Sequence, residues 1–220
     1  MLKTEIKKID PQNPDPEILE EAIQIIKNGG LVGLPTDTVY ALGADAFNRE
    51  AVDKIYKIKK RDKKKPIAVF INDPEKVEEY VDKISLAGRL MIEKFWPGAL
   101  TLVFKSSDDR FSHLMGGTSR LGIRISPNKL LFSIVEKTGV PIPSTSANVS
   151  GRRILATASG VRYYFNGRME LILDAGKSPE RFPSTVVDIS SDQIFLNRPG
   201  ALRLERIRKV FPQIKILRKS

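Results

Sequence analysis

Short apolar runs of single-strand length alternate with helix-period segments along most of the chain, and this alternation constrains the fold more than any other feature. LVGLP, IAVFI, LTLVF, LGIRIS, ELILD, TVVDI and QIFLN read as strands. DPEILEEAIQIIKNGG reads as a helix: Asp15 caps it, Pro16 suits the first turn, Ile18, Ala22, Ile25 and Ile26 recur at helical spacing, and Gly29 ends it. Asn48 caps a second helix, REAVDKIYKIKK, with Ala51, Val52, Ile55 and Ile58 on one stripe. The pattern predicts an α/β fold with a sheet of about seven strands. Several strands follow one another without a helix between them, so the sheet is expected to be mixed rather than all parallel.

The 220 residues fit one domain, expected over 1–205, with a basic C-terminal tail, RIRKVFPQIKILRKS, over 206–220. The chain has no cysteine, which excludes disulfides, thiolate nucleophiles and cysteine-based zinc sites. His113 is the single histidine; it sits in the polar stretch DDRFSHLMGG and reads as an incidental surface residue, so no metal-ligating set is expected. Lys and Arg outnumber the acids 37 to 26, a net charge of +11 that favours an anionic partner such as nucleotide or RNA. The N-terminus lacks the apolar core of a signal peptide and no run reaches membrane-spanning length, so a cytoplasmic protein without a membrane partner is expected.

No phosphate-binding GxxxxGK[ST] or GxGxxG signature is present, so a bound nucleotide needs another device. The densest cationic run is KIKKRDKKKP, Lys57 to Pro66, at the end of a predicted helix, where cations also oppose the helix dipole. LPTDTVYALGADA places hydroxyls and glycines after a buried strand, and PSTSANVSG, Pro143 to Gly151, does the same with more hydroxyls. Each suits a close approach to ligand oxygens and equally suits a turn whose side chains satisfy local backbone groups. Arg120 and Arg124 share one face of a strand, as an anion clamp or a solvated edge would. Taken one at a time, these features leave both readings open.

Their order along the chain is more specific. PTDTVYALGADA, KIKKR, PIAVF, WPGALTLVF, GIRIS, STSANVSG, LDAG, STVVD and RPG together resemble the YrdC family of L-threonylcarbamoyladenylate synthases, over roughly residues 15–203. The resemblance implies a twisted mixed parallel/antiparallel sheet flanked by helices, with a concave basic substrate cleft. It implies a nucleotidyltransferase that joins L-threonine, bicarbonate and ATP into threonylcarbamoyl-AMP and pyrophosphate, with Mg2+ on the ATP. A tRNA threonylcarbamoyl transferase complex would use the product, and tRNA or double-stranded RNA is a further candidate partner.

By the same resemblance, the family's KxR and SxN pairs fall on Lys59 and Arg61, and on Ser146 and Asn148, the expected catalytic set. Arg61, Lys65, Arg120, Ser146 and Arg198 match positions that hold ATP; Thr38, Arg124, Ser144 and Ser184 match positions near the bound threonine. The chain departs from the family pattern at Asp62, often proline, at Phe70, often histidine, and at Ile154-Leu155-Ala156, usually SPT. An alternative from another class is a non-catalytic double-stranded-RNA-binding protein of the same fold; a third is a domain handling carbamoyl phosphate in hydrogenase maturation. The chemistry implied needs no enzyme nucleophile, only positioning and neutralisation of charge.

Overall fold

The computed structural model describes residues 2–216 and has two sheets rather than one. The larger is the expected mixed sheet, seven-stranded: β11 (Lys215–Ile216), β10 (Phe195–Arg198), β9 (Thr185–Asp188), β5 (Leu100–Lys105), β6 (Arg120–Arg124), β4 (Ala68–Phe70) and β7 (Ile142–Ser144), in that order. Strands β5 and β9 pair in parallel, as do β4 and β6, while β5 with β6 and β4 with β7 are antiparallel. The smaller, four-stranded sheet runs β1 (Glu5–Lys8), β8 (Leu171–Asp174), β2 (Val32–Leu34), β3 (Ala41–Gly43).

The sheets meet along one seam. Ala41 of β3 bridges Ser146, the Leu42 N–H donates to the Thr145 carbonyl at 3.0 Å, and the Ala147 N–H donates to the Tyr40 carbonyl at 2.7 Å. The two hydroxyl-rich segments singled out in the sequence are therefore zipped to each other by backbone hydrogen bonds.

Helices close the outer faces. Helix α1 (Pro16–Lys27) is capped by the Asp15 carboxylate, which accepts from the N–H groups of Glu17 and Ile18, and Gly29 leaves it at φ +72°. Its buried stripe is Leu19, Ala22, Ile23 and Ile26, rotated from the expected one, so Ile18 and Ile25 lie at its margin. This stripe packs with Leu130 and Ile134 of α5 (Lys129–Thr138) over the small sheet. Helix α2 (Arg49–Lys59) buries Ala51, Val52, Ile55 and Ile58 as expected, beneath the Asn48 cap. Each fully buried Val, Leu or Ile among these stabilises the fold by about 1.5–3 kcal/mol.

The domain boundary expected at residue 205 is not there. Residues 206–216 continue helix α7 (Leu204–Val210) and strand β11, and Ile207, Phe211 and Ile214 are buried in the main core. The basic residues of this segment lie between those apolar positions, which is why its composition reads as a tail; residues 217–220 of the expected tail lie outside the described residues.

The RPG segment packs against the strand opposite it. A methyl group on Gly200 would sit 2.3 Å from the Pro183 carbonyl oxygen and 2.5 Å from the Ser184 carbonyl carbon, both rigid backbone. Gly200→Ala is expected to cost about 1–3 kcal/mol, read as a lowered midpoint in thermal denaturation. An unchanged midpoint would show that the two segments separate freely.

Candidate active site

The basic run is divided by one backbone turn. Helix α2 ends at Lys59, and Lys60 takes the left-handed conformation at φ 50°, ψ 42°. The Arg61 N–H then returns to the Tyr56 carbonyl at 2.9 Å. This reversal sends Lys59 inward and Arg61 toward a cavity of about 330 Å³ over one face of the large sheet. A non-glycine residue in that conformation costs about 1–2 kcal/mol, which the buried contacts on either side offset.

Lys59 is only 2% exposed and is not among the residues lining the cavity. Its Nζ donates to the Ser146 carbonyl and, at 2.7 Å, to the Asn148 carbonyl, while its own carbonyl accepts from the Ser150 N–H at 2.8 Å. Burial, with the nearby Arg61 charge second, pushes its pKa down to about 7. A neutral amine still has two N–H bonds for those two carbonyls. Lys59, expected on the triphosphate, here fixes the 146–150 loop from beneath.

Asn148 is likewise turned inward. Its Oδ1 accepts from the Ser146 hydroxyl at 2.6 Å, and its Nδ2 donates to the Val149 and Arg152 carbonyls at 3.0 and 2.7 Å. Arg61 and Ser146 line the cavity, and Lys59 and Asn148 hold them there. Arg61 is fixed by donating from Nε to the Lys65 carbonyl at 3.1 Å and from Nη2 to the Pro66 carbonyl at 2.7 Å. Lys65, expected on ATP, is exposed and absent from the lining; its carbonyl, not its ammonium, serves the site.

At the other end stands Arg124, 2% exposed. Its Nη2 donates to both oxygens of Asp37 at 2.7 and 2.6 Å, its Nε to the Gly98 carbonyl at 2.9 Å, and its Nη1 to the Thr38 hydroxyl at 3.0 Å. Of the five N–H bonds of a guanidinium, a single Nη1 N–H is left for a ligand. Phe70 lies under this group, with the guanidinium carbon 5.5 Å from the ring centroid, so its ring supplies a cation–π platform. Thr38, Ser144 and Ser184 share the lining, and the Ser184 hydroxyl is 2.8 Å from that of Thr101.

Arg198 donates from Nη2 to the Ser184 carbonyl at 2.7 Å. Its pKa is lowered first by burial and then by the charges of Arg61 and Arg124. Arg120 lies farther along β6 and donates to Asp188 at 3.3 Å. Outside the cavity, His113 sits with Nε2 3.0 Å from the Ala46 carbonyl oxygen.

Sequence reasoning missed Asp37, Thr101, Asp188 and Asn197. Asp37 had a signal, an acid between the two threonines of PTDT; the other three sit in segments that read as plain strand.

The sequence model of the Sua5/YciO/YrdC family, described as telomere recombination, matches residues 24–200. A threonylcarbamoyl-AMP synthase of Pyrococcus abyssi is 35% identical over 195 residues, covering 89% of this chain and 57% of that protein. One from Bacillus subtilis is 34% identical over 203 residues, covering 92% and 58%. The chain therefore spans under two thirds of the length of these two relatives. A putative threonylcarbamoyl-AMP synthase of Methanocaldococcus jannaschii is 32% identical and is covered over 98% of its length. Among solved structures, P. abyssi Sua5 complexed with L-threonine superimposes with a TM-score of 0.92 at 32% identity, over 97% of this chain and 62% of that one. Escherichia coli YciO shares the fold, with a TM-score of 0.81 at 22% identity, over 91% of this chain and 97% of that one.

The buried Lys59 links stability to pH. It loses its proton near pH 7 when folded and near its ordinary 10.5 when unfolded. The unfolded chain binds more protons between those values. The penalty of burying the charge is therefore full below pH 7 and is relieved as pH rises toward 10.5. Urea midpoints measured from pH 7 to 9 should rise more steeply for the wild type than for Lys59→Met. That variant should also lose about 2–4 kcal/mol by leaving two carbonyls unpaired. Parallel pH slopes would mean that Lys59 stays charged on its carbonyls.

Proposed function

This chain belongs to the Sua5/YciO/YrdC family, and from that premise we propose that it is a threonylcarbamoyl-AMP synthase. The observation that carries the proposal is the convergence of Arg61, Arg124 and Arg198 on one cavity whose far wall is lined by hydroxyls. Guanidinium groups forced together in this way favour a polyanion. The hydroxyls of Thr38, Ser144 and Ser184, with the remaining Nη1 N–H of Arg124, suit a small amino acid carrying a carboxylate and a hydroxyl of its own.

In the proposed reaction the threonine amine adds to bicarbonate, losing water and giving a carbamate. A carbamate oxygen then attacks the α-phosphorus of ATP, the bond to the β-phosphate oxygen breaks, and pyrophosphate leaves. Arg61 and Arg198 neutralise charge on the phosphates during this displacement, Arg120 assists toward one end, and Ser146 donates from the rigid loop. Lys59 and Asn148 act as positioning residues, and Lys65 contributes only through the field at the rim.

The chain offers little for a resident metal. Among the described residues no group of three or more His, Cys, Asp or Glu side chains stands together. The two carboxylates lining or flanking the cavity, Asp37 and Asp188, already bind Arg124 and Arg120. In this proposal magnesium arrives on the triphosphate as part of the substrate, the usual habit of that ion. Among the described residues no helix is long and apolar enough to cross a membrane. A cytoplasmic site of action and a downstream tRNA threonylcarbamoyl transferase complex belong to the same proposal. Binding of double-stranded RNA is the weaker reading, because Arg61, Arg124 and Arg198 converge on one cavity instead of spreading over a broad surface.

Pyrophosphate release from ATP should require both L-threonine and bicarbonate. Arg61→Ala should keep its thermal midpoint and lose about 10²–10³-fold in kcat. Release independent of threonine and bicarbonate, or near-wild-type turnover by the variant, would overturn the proposal.

A further inference from the structure

The basic turn that carries Arg61 is tied to helix α2 by one residue. The Tyr56 carbonyl accepts from the Arg61 N–H at 2.9 Å, and the Tyr56 hydroxyl donates to the Lys65 carbonyl at 3.2 Å. Tyr56 thus holds both ends of the segment 61–65. Within the segment, the Lys65 N–H donates to the Asp62 carbonyl at 3.0 Å and the Lys64 N–H to the Asp62 carboxylate at 2.9 Å, so the turn closes on itself. Among the described residues, the other tie from it to α2 is the Lys63–Asp53 ion pair at 2.7 Å, which is exposed and contributes little. Tyr56 itself is buried and does not line the cavity, so any influence it has on a ligand passes through other groups.

That influence enters at the Lys65 carbonyl. It accepts from the Tyr56 hydroxyl and, at 3.1 Å, from Arg61 Nε, which fills both lone pairs of a carbonyl oxygen. The Tyr56 bond sets how this carbonyl is turned. The carbonyl in turn holds Arg61, together with the Pro66 carbonyl, which accepts from Nη2 at 2.7 Å. Two of the five guanidinium N–H bonds are spent in this way, and three remain on Nη1 and Nη2. Those three form a fork that matches phosphate oxygens. A fork fixed before the ligand arrives needs no ordering on binding, whereas a fork free to swing must be ordered by the ligand.

We infer that Tyr56 is a positioning residue for Arg61: by clasping the turn at both ends it aims the guanidinium fork at the phosphates of ATP. Naming ATP as the anion deepens the synthase reading and rests on it; the clasp itself does not. A phenylalanine at this position keeps the ring in the core and removes only the oxygen. The Lys65 carbonyl then retains Arg61 Nε as its donor, so no buried group is orphaned and the fold is kept. What is lost is the second restraint on that carbonyl, and with it the fixed direction of the fork.

Isothermal titration with ATP in two Arg61 backgrounds tests the inference without turnover. Tyr56→Phe should weaken ATP binding about threefold to tenfold while its circular dichroism stays that of the wild type. Arg61→Lys keeps one cation, so binding stays measurable, but it has no Nε to meet the Lys65 carbonyl. Adding Tyr56→Phe to that variant should weaken ATP binding by less than about twofold. An equal or larger loss in the lysine background would overturn the inference, because Tyr56 would then act on the fold at large. So would no loss in either background. If the coupling is found but pyrophosphate release needs neither threonine nor bicarbonate, the synthase reading fails and the clasp stands. If turnover needs both but the effects at Tyr56 and Arg61 simply add, the clasp fails alone. Absence of ATP binding by the wild type would overturn both.

Discussion

The contact on which the site depends is the buried Lys59 amine bonded to the carbonyls of Ser146 and Asn148. Those carbonyls belong to the loop that also bridges the two sheets, through Ala41 with Ser146 and Tyr40 with Ala147. One side chain therefore couples the end of α2, the seam between sheets and the wall of the cavity. A shorter or branched residue could not reach across. A lysine can, because its stem packs as hydrocarbon while only its tip needs partners. The amine need not stay charged to serve, since two acceptors match two N–H bonds. What it supplies in this structure is rigidity to Ser146.

The left-handed Lys60 explains why the spacing of lysine and arginine carries function. Continuing the helix would turn Arg61 by two residue steps of about 100° each from Lys59, onto the flank of α2. The reversal at Lys60 instead brings the Arg61 guanidinium under the Lys65 and Pro66 carbonyls, which lock it over the sheet. Lys57, Lys60, Lys63 and Lys64 remain at the surface, where they add to the positive field without touching the cavity.

Much of this was legible in the sequence, and the rest was not for definite reasons. The long helices with side-chain caps, at Asp15 and Asn48, and the apolar strands β5, β6 and β8 follow from periodicity and end signals. The strands missed or merged were β1, β3 and β11: EIKK and KI are short and at least half charged, and ALG lies inside a hydroxyl-rich segment that reads as a loop. Three of the expected site residues, Lys59, Lys65 and Asn148, do not line the cavity, because a motif records that a residue matters and not which way it points. Arg61, Arg120, Arg124 and Arg198 do share the cavity. What sequence could not supply was their restraint: Asp37 on Arg124, and the carbonyls of Lys65, Pro66 and Ser184 on the others. Asn197 was invisible because a register shift of β10 against β9, not a spacing, brings it to the lining.

These restraints are unequal, and the inequality has a consequence for binding. Arg124 has a carboxylate partner, so its burial is largely compensated and its position is set before any ligand arrives. Arg198 has only the Ser184 carbonyl and hydroxyl, while both neighbouring guanidiniums repel it. The folded chain therefore holds a mutually repelled positive charge at Arg198 and a neutralised one at Arg124. An anionic group placed at Arg198 relieves that repulsion; one placed at Arg124 gains a single N–H and little field. In the proposed reading this difference draws phosphate to Arg198 and leaves the Arg124 side to a ligand recognised by hydrogen-bond geometry. Preorganisation of this kind puts the electrostatic cost into folding, so that charge developing in the displacement meets dipoles already in place.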